Sequence, residues 1–350
     1  MWCAVHYNGG MASMRELDLM PERIAAWLTA NVAPASVTRY EMITGGFSRD
    51  MAIVDIGWAD GRDERFILRG DPPAAVATLF TDRDAEWQLL SALSAVPSLP
   101  TPRARWYVAD TSTFGTKAIF IDFCEGGSLQ ASLDAGLDQV TTADTFVRMM
   151  GAVACVDPAQ LSGQIPQPGS WDEHLDGLIA RWKDIAHRHL EAMPITRYIA
   201  AWLDQNRPAP LPLRLVHGDF QPGNIVASPS GWQLVDWEFA RIGDPREDLG
   251  YYNAYAQAVP PNLALANLDR YLATFREVTG FSEEAVNPLT FGYFTVLSTA
   301  NVVTGMYDTL YGVATGERKG IAAAFNSAIL VTIGNNNFLE AIMSMQGGPA

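Results

Sequence analysis

The sequence predicts an α+β fold built as two lobes. Three observations carry this reading. Residues 35–124 alternate short apolar runs with glycine and proline breaks, the pattern of strands and turns. After Glu125-Gly126-Gly127-Ser128, which reads as a hinge, long stretches carry apolar residues at helical spacing. A chain of 350 residues with 48% hydrophobic content is long enough for two lobes and can fill a sizeable core.

Residues 14–32 place Leu17, Leu19, Ile24, Ala25, Leu28 and Val32 at roughly helical spacing. A helix ending before Pro34 is expected, with residues 1–34 as an N-terminal helical extension. Arg39–Ile43, Met51–Trp58 and Arg65–Arg69 read as strands, separated by Gly45-Gly46-Phe47-Ser48 and by a turn at Gly61. Asp71-Pro72-Pro73 breaks that run. A helix over 82–95 follows, with Trp87, Leu89, Leu90 and Leu93 as its apolar positions. Arg105–Val108 and Lys117–Phe123 complete a small sheet, so residues 35–124 form the first lobe. Residues 125–350 form the second, with helices expected at 140–156, 170–190, 195–206, 261–279, 288–311 and 317–345. Within it, Ile225–Val226 and Gln233–Val235 read as short strands.

Composition excludes several classes of function. The formal net charge is −15, and nucleic-acid binding needs clustered Lys and Arg, so no nucleic-acid partner is expected. Cys3, Cys124 and Cys155 are scattered without a C-x-x-C pair, which points to neither zinc nor disulfides and fits a reducing cytoplasm. The N-terminus lacks the basic and apolar regions of a signal peptide. The most hydrophobic stretch, Leu289–Val303, is interrupted by Thr, Gly, Ser and Asn, so no membrane span is expected.

The chemistry concentrates in Val216–Tyr252. Asp219 precedes Asn224 by five residues, and Asp236 follows Asn224 by twelve, at the end of an apolar run. An acid, an amide and a second acid suit metal-assisted phosphoryl transfer. One carboxylate takes a proton from the attacking hydroxyl, while the amide and the other carboxylate hold Mg²⁺ on the nucleotide phosphates. His217-Gly218-Asp219-Phe220-Gln221-Pro222-Gly223-Asn224, Asp236-Trp237-Glu238 and Gly243-Asp244-Pro245 resemble the catalytic core of the aminoglycoside phosphotransferase and choline kinase-like families, relatives of the protein kinases. The resemblance covers about residues 35–260. It implies a protein-kinase-like fold, with a nucleotide-binding first lobe and a second lobe holding the catalytic loop and acceptor site.

By this resemblance Asp219 is the catalytic base, and Asn224 and Asp236 are the Mg²⁺ ligands. His217 supports the loop by hydrogen bonds. Asp244 and Asp248 brace it, bonded to backbone amides around the catalytic loop. Glu238, two residues past Asp236, points the same way if the stretch is extended; it then either binds metal through water or pairs with an arginine.

The nucleotide half is read mainly by analogy. Gly45-Gly46-Phe47-Ser48 is either a hairpin turn or a phosphate loop, in which backbone N–H groups and the Ser48 hydroxyl face the phosphates. Kinases place a lysine on the third strand, but Lys117, Lys183 and Lys319 all lie elsewhere. Arg69 takes that place, with Glu86 on the next helix as its ion-pair partner. Adenine is expected where Ala118–Phe123 meets the hinge, with Ile121 as gatekeeper and the Asp122 carbonyl and Cys124 amide on its edge.

The expected activity is transfer of the γ-phosphoryl of ATP, or of GTP, to a hydroxyl of a small molecule. One alternative is a nucleotide-binding pseudokinase with a regulatory role, which the missing lysine favours and the complete acid–amide–acid set opposes. Another is a metal-dependent hydrolase, which would gather more histidines than His217 alone. Trp237, Tyr251, Tyr252 and Tyr255, and Tyr293, Phe294, Met306, Tyr307 and Tyr311 further on, are either core residues or the lining of a pocket for a bulky, partly apolar alcohol.

Overall fold

The computed structural model describes residues 19–43, 50–70, 82–161, 165–188, 194–316 and 321–345. The chain divides into two compact units, Met1–Trp87 with Pro102–Phe123, and Gln88–Thr101 with Cys124–Ala350.

The first unit is built on β1 (Ala35–Ile43), β2 (Asp50–Trp58), β3 (Asp63–Gly70), β4 (Ala104–Val108) and β5 (Ala118–Asp122). They form one antiparallel sheet in the order β1-β2-β3-β5-β4. Strand β2 shows why: Ala52, Val54, Ile56 and Trp58 alternate with less buried residues and face the core. Helix α1 (Met20–Asn31) covers this face, burying Ile24 and Leu28 against it and stacking Trp27 on Phe120. The described part of the helix expected over 14–32, Met20–Asn31, thus belongs to the core of this unit. Phe66 and Leu68 of β3 point to the same core, which turns Arg69 to the opposite face. The first turn of α2 (Arg83–Leu93) also lies in this unit.

The second unit contains α4 (Leu129–Asp134), α5 (Gln139–Ala154), α6 (Trp171–Arg188) and α7 (Pro194–Gln205), following a short α3 (Thr111–Phe114) in the first. Four short strands come next: β6 (Arg214–Val216), β7 (Ile225–Ser228), β8 (Gly231–Leu234) and β9 (Arg241–Gly243). Helices α8 (Glu247–Ala256), α9 (Leu268–Thr279), α10 (Pro288–Thr315) and α11 (Ile321–Met345) complete it. Its core joins α6, α7, α10 and α11 through Leu175, Trp182, Leu203, Phe294 and Phe338, all fully buried.

Several expectations change on this frame. Helix α8 was absent from the sequence reading, because its buried Glu247, Asp248 and Asn253 hide the apolar stripe. The helix expected over 261–279 begins at Leu268, capped by Asn267. The expected hinge is anchored: Gly126 N–H donates to Ala227 O at 2.9 Å, and Ala227 N–H to Gly127 O at 3.0 Å. Gly250 explains how α8 reaches the catalytic loop. A Cβ there would lie 2.2 Å from the backbone carbon of Phe294, so only glycine lets α8 and α10 meet main chain to main chain. Among the described residues, no helix is long and apolar enough to cross a membrane.

Candidate active site

Two strand pairs assemble the catalytic loop. Strand β6 pairs with β9, setting Val216 opposite Arg241, so His217 emerges beside the segment after Asp236. Strands β7 and β8 form a hairpin with Ile225 opposite Leu234. Its open end joins Asn224 to Val235, whose N–H donates to Asn224 O at 2.9 Å. The twelve-residue interval between Asn224 and Asp236 is therefore the length of this hairpin.

Asn224 is buried, and its side-chain nitrogen donates to Asp219 O at 2.9 Å and to Asp219 Oδ2 at 2.8 Å. With both N–H groups used, the Asn224 side-chain oxygen is the atom left for a cation. Tyr251, on α8, donates its hydroxyl to Asp219 Oδ1. Burial pushes the Asp219 carboxyl up to about 6, and the Asp236 charge adds to this, while Tyr251, Asn224 and Gln221 bond to the carboxylate and oppose it. Burial and the Asp219 charge raise the Tyr251 phenol well above its ordinary value, so it remains a donor.

Asp236 has φ 68° and ψ 58°, the left-handed region, and among the described residues no other non-glycine residue has positive φ. The chain turns sharply there and enters a 3-10 turn over Trp237–Phe239. The stretch is thus not extended, and the premise that Glu238 shares a face with Asp236 fails. Arg241 pairs with Glu247.

His217 is fully buried and held at three points. Its Nε2 lies 3.0 Å from Val235 O, its Nδ1 accepts from Asp219 N–H at 3.2 Å, and its ring packs on Trp237 with centroids 4.6 Å apart. These bonds assign the proton to Nε2. Burial lowers its pKa to about 4, so the ring is neutral. Gly218 is required twice: φ is +81°, and a Cβ would lie 2.5 Å from Phe239 O.

Asp248 braces the loop by accepting from His217 N–H and Gly218 N–H, both at 2.8 Å. Asp244 does accept a backbone N–H, that of Arg246 at 2.9 Å, but the His217 and Gly218 amides bond to Asp248 instead. Asp244 is fully buried, accepts from Trp171 Nε1 at 2.6 Å and pairs with Arg246 at 2.7 Å. An arginine two residues on offers it a stronger partner than the loop amides. Glu247 continues this inner network, binding Arg241 and lying 2.5 Å from His174 Nε2.

In the first unit, Arg69 Nε lies 3.2 Å from Glu86 Oε1, and both residues are 5% exposed. Arg83 shares Glu86 through Oε2 and donates to Gly70 O at 3.3 Å. Sequence reasoning missed Arg83; its i,i+3 spacing from Glu86 on a helix was the available signal. Gly45, Gly46 and Ser48 lie outside the described residues. The Asp122 side chain bonds Arg105 at 2.6 Å, and Cys124 is half-buried.

Of the aromatic candidates, Tyr293, Phe294 and Tyr307 are core residues, whereas Tyr251 contacts Asp219. Tyr251 is thus a site residue that the sequence listed only as one aromatic among many. Its signal was the three-residue step from Asp248, which puts both side chains on one face of α8.

Comparison with known proteins shows the family and the fold. The human acyl-CoA dehydrogenase family member 11 is 25% identical over 201 residues, which is 55% of this chain and 25% of that protein. The chain thus spans about a quarter of the length of that relative. A Ralstonia eutropha protein assigned to the aminoglycoside phosphotransferases shares the fold, with TM-score 0.68 and 18% identity over 92% of this chain and 98% of its own. A thermostable mutant of the aminoglycoside phosphotransferase APH(4)-Ia, solved as a ternary complex with AMP-PNP and hygromycin B, has TM-score 0.58 and 16% identity over 90% and 98%. Residues 40–281, which contain both the Arg69–Glu86 pair and the whole catalytic loop, match the model of the phosphotransferase enzyme family, and the chain belongs to that family.

Proposed function

We propose that this phosphotransferase moves the γ-phosphoryl group of ATP or GTP to a hydroxyl of a small molecule, with Mg²⁺ as cofactor. The observation that supports it most is the joining of Asp219 and Asn224 by two hydrogen bonds, with Asp236 placed beside them by the β7–β8 hairpin.

The donor set suits a hard divalent cation. The Asn224 side-chain oxygen and the Asp236 carboxylate are both oxygen ligands, and Mg²⁺ bound by few side chains keeps several waters. Burial first, and then the charge of Asp236, raise the Asp219 carboxyl, and a cation bound beside the two acids would offset the second effect. When bound, Mg²⁺ supplies charge neutralisation on the phosphates.

Asp219 orients the acceptor hydroxyl and takes its proton late, since the attacking oxygen needs little activation in a loose transition state. With its carboxyl near 6, Asp219 is largely ionised at neutral pH and still a better base than an exposed aspartate. His217 stays neutral and fixes the loop. Arg69, oriented by Glu86, is assigned to the α- and β-phosphates, where a guanidinium can bind two oxygens. Gly45, Gly46 and Ser48 are assigned to the phosphates, and Asp122 and Cys124 to the adenine edge, on sequence grounds.

An assay of ATP and GTP consumption across aminoglycosides, macrolides, choline-like amines, sugars and hydroxylated lipids tests this reading. Product carrying one phosphate ester on a hydroxyl is expected. Nucleotide binding without turnover on any acceptor would favour the pseudokinase instead.

A further inference from the structure

We infer that the Tyr251 hydroxyl occupies the place on Asp219 that the acceptor hydroxyl takes during transfer, and so shields the base from water until an acceptor displaces it. The inference rests on the reading of Asp219 as the base.

The partners of Asp219 have different jobs. Asn224 grips Oδ2 and the main-chain oxygen, and its remaining oxygen is the proposed cation ligand, so it has to stay. Gln221 also bonds to the carboxylate through an amide side chain. Tyr251 alone among these partners donates through a hydroxyl, to Oδ1. An alcohol acceptor needs the same thing, an O–H aimed at a carboxylate oxygen. The phenol therefore imitates the acceptor in chemistry and in contact.

Tyr251 is also built to leave. It is half-buried, unlike its fully buried neighbour Tyr252, whose hydroxyl is engaged by Pro261 O and Leu263 N–H. Tyr251 stacks on the half-buried Tyr255, with ring centroids 6.5 Å apart, and a change of its χ1 rotamer would swing the hydroxyl away from Oδ1. The helix carrying it is itself fixed by the Gly250–Phe294 approach and by Asp248. Displacement then needs only the side chain to move.

Water is the competitor that this contact excludes. In the side reaction, a water oxygen bonds the γ-phosphorus of the bound nucleoside triphosphate. The bond from that phosphorus to the β,γ-bridging oxygen breaks, the nucleoside diphosphate leaves with the electron pair, and the water proton passes to Asp219. A bulky acceptor that binds strongly can displace the phenol; a single water gains little by doing so.

The test is phosphate release from Mg-ATP and Mg-GTP with no acceptor present, together with nucleotide affinity by calorimetry. Tyr251→Phe keeps the ring and removes the hydroxyl. Its acceptor-free hydrolysis should exceed that of the native protein by about tenfold or more, the scale of one hydrogen bond to a charged group. Adding Asp219→Asn to Tyr251→Phe should abolish the gain. Tyr251→Leu carries the same test should the phenylalanine variant lose cooperative melting. Hydrolysis in Tyr251→Phe at or below the native rate, with nucleotide affinity intact, would overturn the inference and leave the phosphotransferase reading standing. Absence of Mg-nucleotide binding in the native protein would overturn both.

Discussion

The side-chain amide of Asn224 joins both oxygens that Asp219 offers it, Oδ2 at 2.8 Å and the main-chain oxygen at 2.9 Å. In the proposed mechanism this one residue orients the base and presents an oxygen to the cation. Asp219→Asn should lower transfer by about 10²- to 10⁴-fold, the usual worth of a positioned base, with Mg-nucleotide affinity nearly unchanged. Asn224→Ala should lose both rate and metal dependence. Steady-state kinetics beside calorimetry check the pair; a loss under about tenfold in Asp219→Asn, with chemistry rate-limiting, would remove it from the role of base.

Asp236 allows strain and chemistry to be separated. A non-glycine residue in the left-handed region costs roughly 1–2 kcal/mol, which glycine does not pay. Asp236→Gly should therefore melt at the native temperature or above it while losing Mg²⁺-dependent nucleotide binding. Asp236→Ala should lose binding and melt lower. Intact Mg²⁺ dependence in calorimetry of either variant would place the metal elsewhere.

Arg69 stands where kinases carry a lysine, and the structure pairs it with Glu86 at 3.2 Å. Arg69→Ala should cut kcat/KM for the nucleotide more than tenfold, above about 1.4 kcal/mol of transition-state stabilisation. Arg69→Lys should recover part of that, since charge returns without the two-pronged donor. Glu86→Gln should act more weakly on kcat/KM but also destabilise, because Arg83 loses its carboxylate partner as well. An unchanged kcat/KM in Arg69→Ala would exclude it from nucleotide binding.

Glu247 sets part of the acid sensitivity. Burial alone would raise its carboxyl, but Arg241 and His174 hold it near 2, below the ordinary 4.5. The folded state thus favours the ionised form. That stabilisation is fully present above about pH 4.5 and is lost as pH falls toward 2. Glu247→Gln should melt lower at neutral pH, with Arg241 left without a counter-charge. Its melting temperature should fall less steeply than the native one between pH 4.5 and 3. Parallel slopes for the two proteins would show that Glu247 carries none of the acid dependence.

Much of this protein was legible in its sequence, for two physical reasons. Burial on one sheet face imposes a period of two, and β2 and β3 carry it plainly. The chemistry proposed for this family member demands particular side chains, so Asp219, Asn224 and Asp236 stand out as candidates wherever the chain places them. Even the interval from Asn224 to Asp236 has a local cause, the β7–β8 hairpin.

What only the tertiary structure decided are pairings across long intervals, where no local pattern constrains the partner. Asp248, not Asp244, braces the catalytic loop, because Arg246 and Trp171 satisfy Asp244 inside the core. Arg241 pairs with Glu247 of α8, and the left-handed Asp236 bends the chain before Glu238. Tyr251 meets Asp219 across 32 residues because Gly250 lets α8 settle on the backbone of α10. Residue types and their spacing determined the reaction class; the packing of buried charged and aromatic side chains determined which of them touch, since each buried polar group must find a partner and several were within reach.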